Sequence, residues 1–191
     1  MQATVNWPQP PPDGYTAEDL DRIADLPPHT ELIDGSLVFV TPQREFHSLT
    51  LDLLVDALRH SAPKGTRVRR EMSLILDARQ RPEPDIVVMT ADAVTGGDRT
   101  AYTSEAVVLV VEVVSPESAT RDRERKPQLY ARAGIRHHWR IENDGRNRPV
   151  VYVYDLDPGT RAYALVGIFS RRLQLAVPFD VDIDLTAIDE L

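Results

Sequence analysis

Between Ala106 and Val114 the chain reads AVVLVVEVV, an apolar run broken only by Glu112. A run of that length, ended by Ser115-Pro116, predicts a strand buried on both faces. A shorter run, IVVM, follows Pro84-Asp85 and predicts a second such strand. Upstream, ELIDGSLVFV splits two apolar stretches around Asp34-Gly35, the pairing that favours a two-residue hairpin turn. From Phe46 to His60, Leu49, Leu53, Leu54, Ala57 and Leu58 share one helical stripe, which Pro63 and Gly65 close. Thr66 to Leu76 reads as a single strand carrying Arg67, Arg69 and Arg70.

Beyond Pro116 a helix is predicted from about Thr120 or Asp122 to Ala133, with Gly134 at its C-terminus. Trp139 to Ile141 and Val150 to Tyr154 read as strands joined through Asn143, Asp144 and Gly145. In FDVDIDL strict alternation lets Val181, Ile183 and Leu185 pack while the aspartates face water. At the other end, Thr16 with Asp19 three positions on predicts a short capped helix that stops before Pro27-Pro28. A proline-rich arm over residues 1–14 (Pro8, Pro10, Pro11, Pro12) precedes it. No repeat or internal boundary is visible. The expected fold class is α+β, a central mixed sheet flanked by helices, with residues 15–191 as one domain.

Composition narrows the function classes. With 191 residues and 42% hydrophobic content, the chain is long enough for a real core. No apolar run approaches the ~20 residues that span a bilayer, so no membrane partner is expected. The first residues show neither a basic nor an apolar export segment, which makes a cytoplasmic location the default expectation. The absence of cysteine excludes thiolate metal sites and thiol nucleophiles. A formal net charge of -8 argues against coating nucleic acid by bulk attraction, though not against a local basic patch assisted by metal ions. Of the 22 basic residues only Lys64 and Lys126 are lysine, in a chain that otherwise uses arginine. Lysine differs in being a compact ammonium with a tunable pKa.

Glu112 is the chemical question. An ionised carboxylate in an apolar strand costs several kcal/mol unless it is paired, protonated or bound to a metal. Asp85, opening the other apolar strand, would lie beside it if the two strands pair. Two carboxylates and a backbone carbonyl make a hard oxygen site suited to Mg²⁺ or Mn²⁺. Pro84-Asp85 followed by Glu112-Val113-Val114 resembles the PD-(D/E)XK nuclease pattern, with Val114 where the lysine would stand. The larger pattern, ELIDG, RPEPDIVV and VVEVVSPESATRDRERKPQLYARAGIRHHW, closely resembles the Uma-two family of restriction endonucleases over roughly residues 16–155. There the lysine has moved to the following helix, in D-x-x-x-K-x-x-x-Y; here that is Asp122, Lys126 and Tyr130.

The resemblance implies a restriction endonuclease-like core and Mg²⁺-dependent phosphodiester hydrolysis of DNA, with Mn²⁺ as a substitute ion. It implies Asp85 and Glu112 as metal ligands, with the Val113 carbonyl as a third. Lys126 would orient or deprotonate the attacking water and stabilise charge on the phosphate. Glu31 would hold a second ion or a water, and Tyr130 would bond the lysine or a phosphate. Asp122 and His47 are supporting candidates. Pro127, directly after Lys126, removes a backbone donor and distorts the helix there. Arg67 and Arg69 on one strand, and Arg121, Arg123 and Arg125 before Lys126, are the candidates for DNA contact. The alternatives are a nuclease-fold module that binds DNA or regulates without turnover, and a hydrolase of small nucleotides. A homodimer is expected, because one site per chain cuts two strands most simply with two-fold symmetry. Val150 to Tyr154 and FDVDIDL are the strands proposed to pair between copies.

Overall fold

The computed structural model describes residues 9–191. Pro8 and the rest of the first eight residues of the proline-rich arm lie outside the described residues. Among the described residues twelve strands form, β1 Glu31–Ile33, β2 Ser36–Val38, β3 Thr66–Arg70, β4 Ser73–Ile75, β5 Ile86–Thr90, β6 Ala101–Thr103, β7 Val107–Val113, β8 His137–Asn143, β9 Pro149–Asp157, β10 Ala162–Phe169, β11 Arg172–Leu175 and β12 Val181–Asp184. The helices are α1, Glu45–Ser61, and α2, Lys126–Arg132. Six strands make the central mixed sheet, in the order β10-β9-β8-β7-β5-β3. Only β7 and β8 run parallel within it.

The two apolar strands predicted from AVVLVVEVV and IVVM are β7 and β5, and they sit side by side. Alternate residues serve two cores. Ile86, Val88, Leu109, Val111 and Val113 pack on one face with Trp139, Ile141 and the α1 residues Leu51, Leu54, Val55 and Leu58. Val87, Met89 and Val110 pack on the other with Tyr130 and Ile135. Burying about 100 Å² or more of apolar surface per side chain on both faces is the main stabilising term, at ~25 cal/mol per Å². Because β7 and β8 are parallel, their connection must cross a sheet face. That crossover is α2.

Several elements depart from the sequence reading. The segment after Thr16 forms only a 3₁₀ turn, Asp19–Asp21, although Asp19 accepts from the Thr16 N–H at 2.7 Å and its hydroxyl at 2.9 Å. Left-handed backbone at Asp25 and His29 turns the chain before a further helical turn can form. The strand predicted over Thr66 to Leu76 is two strands, because Glu71 takes a left-handed φ of 50° and gives its N–H to the Asp85 carbonyl. β4 then pairs with β6 in a separate parallel ladder. The buried stripe of α1 is also rotated. Thr50, Leu51 and Val55 are buried where Leu49 and Leu53 are only half-buried, and the same stripe carries His47 inward. β10 and β11 do not follow from the sequence pattern; β10 makes β9 an interior strand, so Val150 to Tyr154 is not an edge available to a second copy, and β11 pairs with β12 in a separate ladder. Among the described residues no helix is long and apolar enough to cross a membrane.

Candidate active site

Four elements deliver acidic side chains to one place. The β1–β2 hairpin turns at Asp34-Gly35, both in left-handed conformation as a two-residue turn requires. It is tied to the stretch before β5 by a bridge between Leu32 and Arg81, whose backbone groups exchange bonds of 3.0 and 2.8 Å. This places Glu31 beside Glu83, whose N–H donates to Glu31 Oε1 at 2.9 Å. The β5–β7 register pairs Ile86 with Val111 and Val87 with Val110, so continuing it by one step sets Asp85 opposite Glu112. Instead of extending the ladder, Asp85 Oδ2 accepts the Val113 N–H at 2.6 Å. Its other oxygen meets His47 Nε2 of α1 at 3.0 Å.

The crossover supplies the cation. Residues Arg121–Arg125 form a π turn, in which the Lys126 N–H bonds back to the Arg121 carbonyl. Pro127 explains it: proline offers no N–H and its ring would collide with the carbonyl four residues back, so the helix widens by one residue. The widened turn still aligns Asp122, Lys126 and Tyr130 on one face. Lys126 Nζ lies 2.8 Å from Glu31 Oε1, 3.1 Å from Glu112 Oε2 and 3.5 Å from Asp122 Oδ1. The Tyr130 hydroxyl donates to Glu112 Oε1 at 2.5 Å. Ser118 donates to Asp122 Oδ2 in a short bond. Asp122 Oδ1 is buried with no hydrogen bond, held only by the ion pair.

One cavity of about 450 Å³ takes in Glu31, Asp85, Glu112, Val113, Asp122 and Lys126. Burial pushes the Glu112 carboxyl well above the usual range; the Lys126 ammonium pulls it back, and Asp122, Asp85 and Glu31 push it up again. Burial opposes the Lys126 charge too, but Glu112, Glu31 and Asp122 outweigh it and hold the ammonium well above an ordinary lysine. An isolated ion pair would lower its carboxyl; here one ammonium faces several carboxylates, and the low dielectric decides. Asp122 is likewise raised, chiefly by burial. The cluster holds its protons tightly.

Other candidates are placed elsewhere. Arg121 lines the cavity, its Nε 3.9 Å from Glu31 Oε2. Arg123 is bound to Glu142, and Arg125 is bound to Asp34 through its Nε and Nη2. Arg67 turns back onto the Lys64 and Thr66 carbonyls and Arg69 onto that of Val68, and neither lines the cavity. The sequence reading missed Glu71, Glu83 and His29, all on the cavity wall. His29 Nδ1 lies 2.5 Å from Glu83, which raises the imidazole's pKa, while burial raises that of Glu83. Glu83 sits in the quoted RPEPD, so its proximity to Asp85 was visible, but its inward direction depends on the hairpin bridge.

Among the described residues, no three His, Asp or Glu side chains converge as a ready-made metal cage. The reason is visible in the bonds: chain donors meet both oxygens of Asp85 and both of Glu112. The donor set itself, hard oxygens in excess over one ammonium with Asp122 Oδ1 short of a hydrogen bond, fits Mg²⁺ or Mn²⁺.

A family model, Uma2, described as "Putative restriction endonuclease", matches residues 17–187. Among solved structures, one described as a "putative nuclease belonging to DUF820" from Anabaena variabilis ATCC 29413 superposes with a TM-score of 0.68. The two are 15% identical, and the match covers 92% of this chain and 97% of that one. The shared feature is the fold, a central mixed sheet flanked by helices. P. aeruginosa ATCC27853 NucC in its cAAA-bound form gives a TM-score of 0.39 at 8% identity, over 74% of this chain and 83% of that chain. That likeness is too distant to carry an argument. No functionally curated protein matches the chain.

Proposed function

We propose, from the premise that this chain belongs to the Uma2 family, that it is a metal-dependent endonuclease hydrolysing phosphodiester bonds of DNA. The observation that carries the reading is the Lys126 ammonium caught between Glu31, Glu112 and Asp122, with Asp85 on the same cavity wall. Asp85 and Glu112, with the Val113 carbonyl, are the groups that would hold Mg²⁺ or Mn²⁺, and Glu31 is placed to help. A bound ion supplies charge neutralisation and polarisation of the phosphoryl group. The chain's own part is positional. His47 and the Val113 N–H fix Asp85, Tyr130 fixes Glu112, and Lys126 holds or releases a proton at Nζ beside the reacting phosphate.

The test is nicking of supercoiled plasmid. Cleavage is expected with Mg²⁺ or Mn²⁺ and not with a chelator; no cleavage with either ion over a wide concentration range would overturn the reading. The satisfied state of both Glu112 oxygens favours a second reading, a fold-retaining module that binds DNA without turnover. Binding of duplex DNA with no cleavage at any ion concentration would select it.

Cation affinity gives an independent check. Glu112 and Asp122 have raised pKa values, so a cation must displace protons to reach their oxygens. Below those pKa values, affinity is expected to rise by about tenfold per pH unit for each proton displaced. Mn²⁺ titrations at pH 6 and pH 8 measure this, and equal affinities would contradict competition between proton and cation.

A homodimer belongs to the same proposal, with its interface moved to β10, away from the strand at 150–154 and from FDVDIDL, whose β12 pairs with β11. β10 is the sheet's edge and carries exposed Leu165, Val166 and Ile168 without a charged residue between Ala162 and Phe169. An eight-residue edge with no charge or proline invites antiparallel pairing with its own copy. Light scattering at micromolar concentration should give twice the chain mass, and Val166→Lys should return the monomer.

A further inference from the structure

A second cavity, of about 570 Å³, shares no lining residue with the acidic one. It lies between the α2 face bearing Pro127, Gln128 and Ala131 and residues of β8, β9 and β10. Its charge is opposite. Arg123, Arg132, Arg140 and Arg161 line it against a single acid, Glu124. Glu142 engages Arg123 and Arg140 at 2.5 and 3.0 Å. Arg132 and Arg161 are exposed, and among the described residues neither closes an ion pair. Arg132 feels Asp34 only through space, and Arg125 already bonds that carboxylate.

The inner wall is aromatic. His138 stacks on Tyr154, with ring centroids 5.5 Å apart and planes 19° apart, and leans on Tyr163 at 5.2 Å. Arg140 caps Tyr154, its guanidinium carbon 5.4 Å from the ring centre. His138 is 1% exposed and neither ring nitrogen has a hydrogen-bond partner. Burial, with Arg140 and Lys126 nearby, pushes its pKa down to about 3, so the imidazole is neutral. A neutral imidazole offers one donor and one acceptor, and both are unmet and sealed behind the tyrosine rings.

We propose that this cavity binds a nucleotide, with the phosphate on Arg132 and Arg161 and the base against the wall of Tyr154, His138 and Tyr163. Guanidinium forks match phosphate oxygens in pairs. The half-buried Tyr154 and Tyr163 rings, backed by His138, offer a stacking surface. The cavity volume lies within the range of about 300–1,000 Å³ usual for small-molecule sites. Inorganic phosphate would leave the rings unused, and a nucleoside would leave the arginines unused. The site does not depend on the nuclease reading.

The experiment is calorimetric titration of the full chain in chelator, which keeps divalent ions out of the acidic cavity. The probes are AMP, adenosine, inorganic phosphate and a thymidine hexanucleotide. AMP should bind at least about tenfold more tightly than adenosine or phosphate, a difference of ~1.4 kcal/mol. Arg132→Ala with Arg161→Ala, both exposed and safe for folding, should weaken AMP by at least about tenfold. AMP binding should survive Glu112→Gln, which separates this site from the acidic one. The proposal is overturned by no AMP binding at millimolar concentration, by equal binding of phosphate alone, by binding of the hexanucleotide but not AMP, or by indifference to the arginine pair.

Discussion

Lys126→Arg is expected to cut plasmid nicking by at least about 100-fold, the lower range for losing a positioned proton-transfer group. The charge survives this substitution and the geometry does not. A single Nζ now bonds Glu31 and Glu112 at 2.8 and 3.1 Å with Asp122 at 3.5 Å, inside a site where the lysine is 5% exposed. A planar guanidinium cannot converge on three carboxylates from one atom. Lys126→Met gives the contrast. It leaves the buried carboxylates without their ammonium and should cost about 3–5 kcal/mol of stability. Mn²⁺ should restore part of that loss. Thermal melts with and without Mn²⁺ measure it, and wild-type nicking by Lys126→Arg would end the role assigned to this lysine.

Much of this site was legible because the sequence states its contradictions openly. A carboxylate inside AVVLVVEVV has to be compensated, and the family resemblance, through D-x-x-x-K-x-x-x-Y, implied Lys126 in the segment that follows as part of the same site. β5 and β7 were legible as strands from their apolar runs alone, but the antiparallel register that sets Asp85 opposite Glu112 comes from the structure. The π turn was half legible. Pro127 announces a distortion, yet whether it carries Lys126 away from Glu112 or leaves it aligned depends on how many residues the helix absorbs, which no local pattern reveals.

What stayed hidden depends on long-range contacts. His47 faces inward because the α1 stripe is rotated from the one that leucine spacing suggests: Thr50 and Leu51 pack where Leu49 and Leu53 do not. Glu31 and Glu83 meet only through the Leu32–Arg81 bridge, which joins residues about fifty positions apart. The arginines misled for a related reason. A charge run at 121–125 reads as a basic patch, but Glu142 on β8 and Asp34 in the β1–β2 turn neutralise two of its members. β10 escaped because its apolar residues do not alternate; a bulge between Leu165 and Gly167 breaks the period.

Glu112→Gln should reduce nicking by about three orders of magnitude, in line with the ~10²–10³ lost when one electrostatic contact to the reacting group is removed, together with the lost anchoring charge for the ion. The amide is nearly the same size and can still accept from Tyr130, so the shape of the cavity survives. Stability should move the other way. Glu112 is 1% exposed, and its raised pKa shows that burial and three neighbouring acids oppose its charge. The linkage sign follows: a carboxyl whose folded pKa lies above its unfolded value favours the folded state at low pH. That advantage is lost as pH rises from the unfolded pKa through the folded one. At pH 8 Glu112 is thus a net cost to the apo protein, and Lys126 keeps Glu31 and Asp122 as partners when it is gone. Glu112→Gln should therefore melt at or above the wild-type temperature at pH 8 without divalent ions, and should gain less from added Mn²⁺. A variant that is inactive yet more stable would mark Glu112 as kept for chemistry. A variant that is inactive because it unfolds, or that still nicks, would show that its burial serves the fold instead.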